Sequence, residues 1–368
     1  MTVPKKYQRC MVFAGGGFRF GIYLGMYAAA RDAGRKPDVL LACCGGAIAA
    51  AIVQNLPNDA QRMAWLASPE MYRFWCSLKS APQARLSTTL AQAAQRKLSR
   101  QPAPRIPDVF NTYLFDIPAQ LPLPSPATNP EVDVAIMGGK LLFGQAEVGQ
   151  PRGQRKLFEQ TVLCNTRAAA LLDGMPSPFE SPVWGPHAIA TGIVTNSTMS
   201  VAEAARLSIT DFYYFACHGH GADHYIGGVV DLFPIEAAHR LADEVMLEFK
   251  ESFDQAFSIP AWRAVLGLDG NQRLRYINAQ PADVWFDTSD ISEALARQQV
   301  QKKTDWRRNR ITLAPPESHA IYQQYMQDQW DYGYQRGREA LAREDPGSQS
   351  GMRRANRHNR YYRYYRAG

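Results

Sequence analysis

Residues 39–48 read Val-Leu-Leu-Ala-Cys-Cys-Gly-Gly-Ala-Ile, and this stretch decides the fold of the 368-residue chain. Residues 39–42 form a continuous apolar run, as in strands buried on both faces of a sheet. The run passes through Cys43-Cys44-Gly45-Gly46 straight into an alanine-rich segment, which predicts a sharp turn and a helix over 47–54. Upstream, residues 10–14 predict another buried strand, followed by a glycine-rich turn and a helix over 21–33. Strand, turn and helix repeated in this order indicate a parallel α/β sheet.

Apolar periodicity predicts the remaining elements. Strands are expected at 132–137 and 187–194, a strand and turn at 225–230, and helices at 201–207, 234–248 and 317–344. The alternation of these strands and helices favours the α/β class.

The chain divides by composition into a body, an extension and a tail. We predict an α/β domain over 1–260, with a helical and then Pro-rich insertion at about 55–130. A mostly helical extension is expected over 261–346. Residues 347–368 contain no aliphatic core former and are expected to be disordered.

The positive charge of the chain is concentrated near residue 368. The formal net charge is +7, and six of the excess charges are Arg353, Arg354, Arg357, Arg360, Arg363 and Arg366. Tyrosines alternate with these arginines, a composition that can stack on bases or lie at a lipid interface. The body is therefore expected to be near neutral. Its 46% content of hydrophobic residues excludes a mostly disordered chain.

The cysteines indicate a reducing compartment. Six are present, at irregular spacing and with no C-x-x-C pair, which favours free thiols in the cytoplasm. The longest apolar run, Val39 to Val53, has 15 residues and is too short for a membrane span. We expect a cytoplasmic protein that touches membranes peripherally.

Three segments carry the candidate chemistry. The first is Gly15-Gly16-Gly17-Phe18-Arg19, where glycines let backbone N–H groups converge on a developing oxyanion. The second runs from Ala42 to Ile48 at the strand-to-helix turn. The third runs from Ile226 through Gly227, Gly228 and Asp231 to Pro234. In this order they resemble the patatin-like phospholipase family, an α/β acyl hydrolase with a Ser–Asp dyad. The resemblance implies the family's three-layer fold, with a central, mostly parallel sheet between helices.

The resemblance implies a role for each segment and also shows two substitutions. The glycine loop would be the oxyanion loop, in which Arg19 either faces an anionic head group or orders the loop. Ala42 and Gly46 would occupy the elbow glycines, with Cys44 at the nucleophilic serine. Ile226 stands where the family has the dyad aspartate, and isoleucine cannot accept a proton. Cys44 is either a thiol nucleophile at a helix N-terminus or a packing residue in a lost active site.

A relocated base is one way in which the chain could keep its chemistry. His220, Asp223 and His224 lie just before the Ile226 segment, and any of the three could be the general base. Either histidine could serve Cys44 if Asp223 oriented it. Asp231 could also replace the lost aspartate. The same cluster, with Cys217 and His218, has alternative interpretations as a metal site or as a polar surface loop.

Two functions follow from the resemblance. The first is a degenerate or repurposed acyl-hydrolase scaffold that binds a lipid, an acyl group or a protein partner. The alternative is an active Cys-nucleophile acyl hydrolase or acyltransferase on an ester or thioester, with the backbone near Gly16 and Gly17 as oxyanion hole. No metal or organic cofactor is implied. By analogy with the family, an anionic membrane or a protein is preferred over nucleic acid as the partner of Arg353–Arg366.

Overall fold

The computed structural model describes residues 4–15, 17–99, 101–253, 258–298 and 301–342. Its strands are β1 (Tyr7–Phe13), β2 (Val39–Ala42), β3 (Lys79–Ser80), β4 (Phe115–Asp116), β5 (Asp133–Leu141), β6 (Phe158–Cys164), β7 (Ile189–Asn196), β8 (His218–His220), β9 (Asp223–Ile226), β10 (Ala242–Phe249), β11 (Val284–Asp287), β12 (Gln301–Asp305) and β13 (Arg310–Ala314). Its α-helices are α1 (Phe20–Asp32), α2 (Gly45–Asn55), α3 (Asp59–Leu66), α4 (Pro69–Ser77), α5 (Leu86–Leu98), α6 (Thr166–Leu172), α7 (Val201–Ser208), α8 (Ile235–Leu241), α9 (Ser258–Val265), α10 (Gly270–Ile277), α11 (Ile291–Ala294) and α12 (His319–Ala342).

The central sheet of the described residues has nine strands, with β11-β10-β1-β2-β5-β6-β7 as its main order. The strands from β11 to β5 are mutually parallel, and β6 and β7 run antiparallel to them. Helices flank this sheet and α12 follows it, so the predicted α/β class with a mostly parallel sheet and a helical extension is confirmed. Strand β9 pairs with the end of β5 beyond the last residue of β2. This pairing brings the segment after β9 against the turn that follows β2.

Helix α1 packs closely along α12, although the two are far apart in sequence. A side chain at Gly25 would overlap the carbonyl oxygen of Trp330, and one at Gly333 would overlap that of Ile22. Glycine is needed at both positions because the two helix backbones are nearly in contact. Tyr322, Met326 and Gln329 of α12 are completely buried. The late helix is therefore part of the core.

The predicted helix over 234–248 is wrong in its second half. Helix α8 ends at Leu241, and β10 follows as a central strand between β1 and β11. Val245, Met246 and Leu247 are all fully buried, which fits a strand covered on both faces. After residue 260, helices are accompanied by the edge strand β11 and by the separate β12–β13 pair. The predicted tail, 347–368, lies outside the described residues. In the part of the chain that the structure describes, no helix combines the length and apolarity needed to span a bilayer.

Candidate active site

Cys44 occupies a strained turn between β2 and α2. Its backbone has φ 48° and ψ −127°, a region that non-glycine residues adopt rarely and mostly at functional sites. Helix α2 starts at the next residue, so Cys44 lies at the helix N-terminus. Side chains at Gly45 and Gly46 would overlap the carbonyl oxygens of Gly17 and Phe13. The two glycines therefore allow the turn to close on both the glycine loop and the end of β1.

Ser208, the last residue of α7, hydrogen-bonds the backbone of this turn. Its Oγ accepts a hydrogen bond from the Cys44 N–H at 2.9 Å and donates to the Met137 carbonyl at 2.7 Å. Ser208 is fully buried, so the hydroxyl is an internal link between the turn, α7 and β5. The link holds the Cys44 backbone in its strained conformation.

Asp211 is the carboxylate that faces the thiol. Cys44 Sγ donates to Asp211 Oδ2 at 3.3 Å. Burial raises the pKa of Asp211 to about 7, against the lowering effects of the Cys44 hydrogen bond and of the Val229 N–H. Burial also raises the pKa of the Cys44 thiol well above its ordinary value, and the Asp211 charge adds to this. At rest the proton is therefore on sulphur, and Asp211 is a base of intermediate strength.

Backbone N–H groups converge on the same thiol. Those of Gly45 and Gly17 hydrogen-bond Cys44 and lower its pKa. Gly16 lies outside the described residues. Phe18 packs its ring on Trp75 with centroids 4.4 Å apart, and Gln329 Oε1 accepts from the Gly21 N–H at 3.2 Å. These contacts hold the loop next to the nucleophile position, where its donors can meet a developing oxyanion.

A cavity of about 900 Å³ opens in front of the thiol. Cys44, Gly17 and Asp211 form part of its wall, and most of the remaining lining is aromatic or aliphatic. Arg19 and Lys250 also line it, and burial lowers the pKa of both groups. The cavity is large enough for an acyl chain and its alcohol or thiol part.

Comparison with known proteins shows the family to which the chain belongs. The sequence profile of the family described as patatin-like phospholipase matches residues 11–239. The chain belongs to the patatin-like phospholipase family. Among solved structures, it is similar to VipD from Legionella pneumophila, at 11% identity and a TM-score of 0.34, over 92% of this chain and 67% of that chain. No curated protein matches the chain.

Ile226, which stands where the resemblance places the dyad aspartate, lies close to the segment that carries Asp211. Ile226 is buried on β9 and pairs with Gly139. The next residue, Gly227, donates to the Thr210 carbonyl at 2.9 Å. The glycines of the segment thus hold the loop that carries Asp211. Sequence reasoning missed Asp211, for which the one available signal is a carboxyl within an apolar stretch just after the predicted helix 201–207.

The His220–His224 cluster is located elsewhere. His220 Nδ1 lies 2.6 Å from Glu203 Oε1, Asp223 forms a 2.7 Å ion pair with Lys140, and His224 packs its ring against Phe110. These residues form the β8–β9 hairpin. The structure does not bring any of the three to Cys44.

Asp231 has a structural partner. It forms a buried ion pair with Arg273 at 2.9 Å, and Arg273 also binds Glu236. Its backbone carbonyl accepts from Cys43 Sγ at 3.3 Å. Asp231 therefore neutralises the buried charge of Arg273. Among the residues with described positions, no cluster of three or more His, Cys, Asp or Glu side chains could hold a metal ion.

Proposed function

We propose that this protein is a cysteine-dependent acyl hydrolase or acyltransferase that uses Cys44 as nucleophile and Asp211 as base. The observation that carries the proposal is the 3.3 Å contact between the thiol and the carboxylate, at an elbow that faces the cavity. Membership of the patatin-like phospholipase family supports an ester or thioester as the substrate. The proposed base, Asp211, is therefore a different residue from the candidates His220, Asp223 and His224 that the sequence suggested.

The reaction would proceed through a thioester on Cys44. Sγ attacks the substrate carbonyl carbon while Asp211 takes the thiol proton, and the N–H groups of Gly17 and Gly45 stabilise the oxyanion. Collapse expels the alcohol or thiol, which receives the proton from Asp211. Water, activated by Asp211, then attacks the thioester, releases the carboxylic acid and restores the thiol. An alcohol, amine or thiol in place of water would give acyl transfer.

The pKa values of Cys44 and Asp211 determine the pH range in which the proposed reaction can proceed. Because Asp211 has a pKa of about 7, the ionised form that can accept a proton predominates only above that pH. The raised pKa of the thiol means that proton transfer accompanies attack, without a preformed thiolate. Activity should therefore increase as the pH passes through about 7.

A second candidate is a repurposed scaffold that binds an acyl group or lipid without turnover. It is favoured by the same raised pKa of Cys44, because a permanently neutral thiol in an apolar cavity can serve as lining. In this case the loss of serine and of the usual aspartate would reflect loss of catalysis. Binding of a fatty acid would then be the retained property.

Mass spectrometry distinguishes the two candidates. The full chain is incubated with p-nitrophenyl acyl esters and with acyl thioesters, and both turnover and the mass of acylated protein are measured. We expect a single acyl adduct on Cys44, lost in Cys44→Ala, and turnover reduced at least about a hundredfold in Asp211→Asn. Cys76→Ala, which removes an exposed thiol, is the matched control. Turnover that persists in Cys44→Ala rules out the proposed nucleophile. Fatty-acid binding with neither adduct nor turnover favours the scaffold.

A further inference from the structure

Two basic segments border the cavity. Residues 71–107 contain seven lysines and arginines and no acidic residue, and residues 301–314 contain five with one aspartate. The summed net charge of these two segments and the tail is larger than the +7 of the whole chain, so the remaining residues carry a net negative charge. The near-neutral body expected from composition is thus an average of a basic border and an acidic remainder.

The two segments meet at one end of the cavity. Helix α5 belongs to the first, and β12 with β13 form an antiparallel hairpin in the second. The Leu86 N–H donates to the Asn309 carbonyl at 2.8 Å, and the Ser87 N–H donates to Asn309 Oδ1 at 2.9 Å. Asn309 lies in the hairpin turn with φ 52°. We call α5 and this hairpin, residues 301–314, the rim.

The hairpin has one face toward the cavity and a tip toward solvent. Lys302, Thr304, Ile311 and Leu313 line the cavity, as their alternation along paired strands requires. The tip carries Trp306, which is 75% exposed, followed by the exposed Arg307 and Arg308. An indole with guanidinium groups beside it has the composition that favours the boundary between lipid headgroups and acyl chains.

Helix α5 continues this surface. Leu90 lines the cavity and is still 42% exposed, so the cavity opens at that position. At the end of the helix, Leu98 is 81% exposed and follows the exposed Lys97. The rim therefore combines protruding apolar side chains with basic residues around the mouth of an apolar cavity.

We propose that the rim docks the protein on an anionic lipid bilayer, with Trp306 and Leu98 in the interfacial layer and the basic residues against lipid phosphates. Trp favours the headgroup level, and Lys and Arg are attracted to anionic leaflets. Docking would join the apolar lining of the cavity to the acyl region of the bilayer, so that a lipid can enter without crossing water. Delivery of substrate rests on the proposed function, whereas docking itself does not.

The surface fits a bilayer better than it fits nucleic acid. A nucleic-acid groove carries its charge along a track with aromatic platforms for bases, whereas the hairpin exposes a single indole and the rim borders a cavity with a mostly apolar lining. The proposed partner is therefore a lipid surface, and binding to nucleic acid alone would contradict it.

Two measurements on the full chain test the proposal. The first is sedimentation with phosphatidylcholine vesicles, with and without phosphatidylserine. The variant Arg307→Glu/Arg308→Glu should bind the anionic vesicles at least about tenfold more weakly. The matched control is Arg275→Glu/Arg338→Glu, which changes the charge equally at exposed positions outside the rim. Equal binding of the two double variants overturns the proposal.

The second measurement separates the rim from the basic tail. Tryptophan fluorescence is recorded with vesicles of brominated phosphatidylcholine and phosphatidylserine, for the wild type and for Trp306→Phe. We expect quenching in the wild type and loss of most of it in the variant. Vesicle binding without quenching at Trp306 would mean that another surface docks, which refutes the rim. Turnover of a water-soluble ester is measured in parallel, because its absence bears only on the proposed function.

Discussion

Asp211 is a carboxyl group buried beside a thiol with no cation paired to it among the described residues, and its Oδ1 has no hydrogen-bond donor there. Such a group prefers its neutral form. Its pKa is about 7 in the folded protein and near the ordinary 3.8 when unfolded. The folded state therefore holds a proton that the unfolded state releases, between about pH 4 and 7. Stability should fall as the pH rises through this window and remain lower above it.

Asp211→Asn should remove this pH dependence. We expect the variant to be more stable than the wild type by about 2–4 kcal/mol at pH 8, and to show no such gain at pH 4. Urea unfolding at the two pH values measures the difference. An equal gain at both would mean that Asp211 is not the group that titrates.

Ser208 offers a second prediction at a single residue. Ser208→Ala would leave the Cys44 N–H and the Met137 carbonyl buried without their shared partner. We expect a loss of about 1–3 kcal/mol in the free energy of unfolding. Any activity should also fall, because the elbow loses its tether. Ser200→Ala, at the cap of the same helix but exposed, is the comparison variant. A smaller effect on activity at Ser208 than at Ser200 would contradict the tether.

At the scale of secondary-structure elements, the contact between α1 and α12 leaves no room for a side chain at Gly25 or Gly333. Gly333→Ala would push a methyl group into the Ile22 carbonyl and force the helices apart, next to the glycine loop that precedes α1. We expect a loss of roughly 1–3 kcal/mol, in spite of the better helix propensity of alanine. Gly192→Ala in β7 is the control, since its methyl group would have no neighbour within 4 Å. Thermal unfolding of the two variants provides the measurement.

The elements that the sequence predicted well are those with a local signature. Strands β1 and β2, the elbow and α12 follow from continuous apolar runs, a glycine turn and helical periodicity. Strand β10 was missed because its apolar run follows α8 without a turn residue, so the two patterns merged. Asp211 was missed for a different reason. Its contact with Cys44 spans 167 positions and depends on how β9 and α7 pack, which no local pattern encodes.

At the scale of the molecule, the family match ends at residue 239 but the core does not. Strand β10 lies inside the sheet, and α12 buries Tyr322 and Met326. A chain that stops at residue 316 should therefore fail to fold, whereas one that stops at residue 346 should melt at the wild-type temperature. Circular dichroism and thermal melting test both. A folded 1–316 chain would show that α12 is dispensable.

Removal of residues 347–368 also tests the tail. From the arginines Arg353–Arg366 we expect weaker binding to anionic vesicles, with a difference that shrinks at high salt. Unchanged binding across salt concentrations would leave the rim as the sole proposed lipid contact.

The hydrogen bond from Gly21 to Gln329 joins residues 308 positions apart. During synthesis at about 5–20 residues per second, the partner of the glycine loop is made roughly 15–60 s after the loop itself. Until then the Gly21 N–H lacks its acceptor and the face of α1 that α12 covers is bare. The nascent chain should therefore hold Cys44 beside a glycine loop that α12 does not yet support. If Cys44 is the nucleophile, as we propose, activity would begin only after translation is complete.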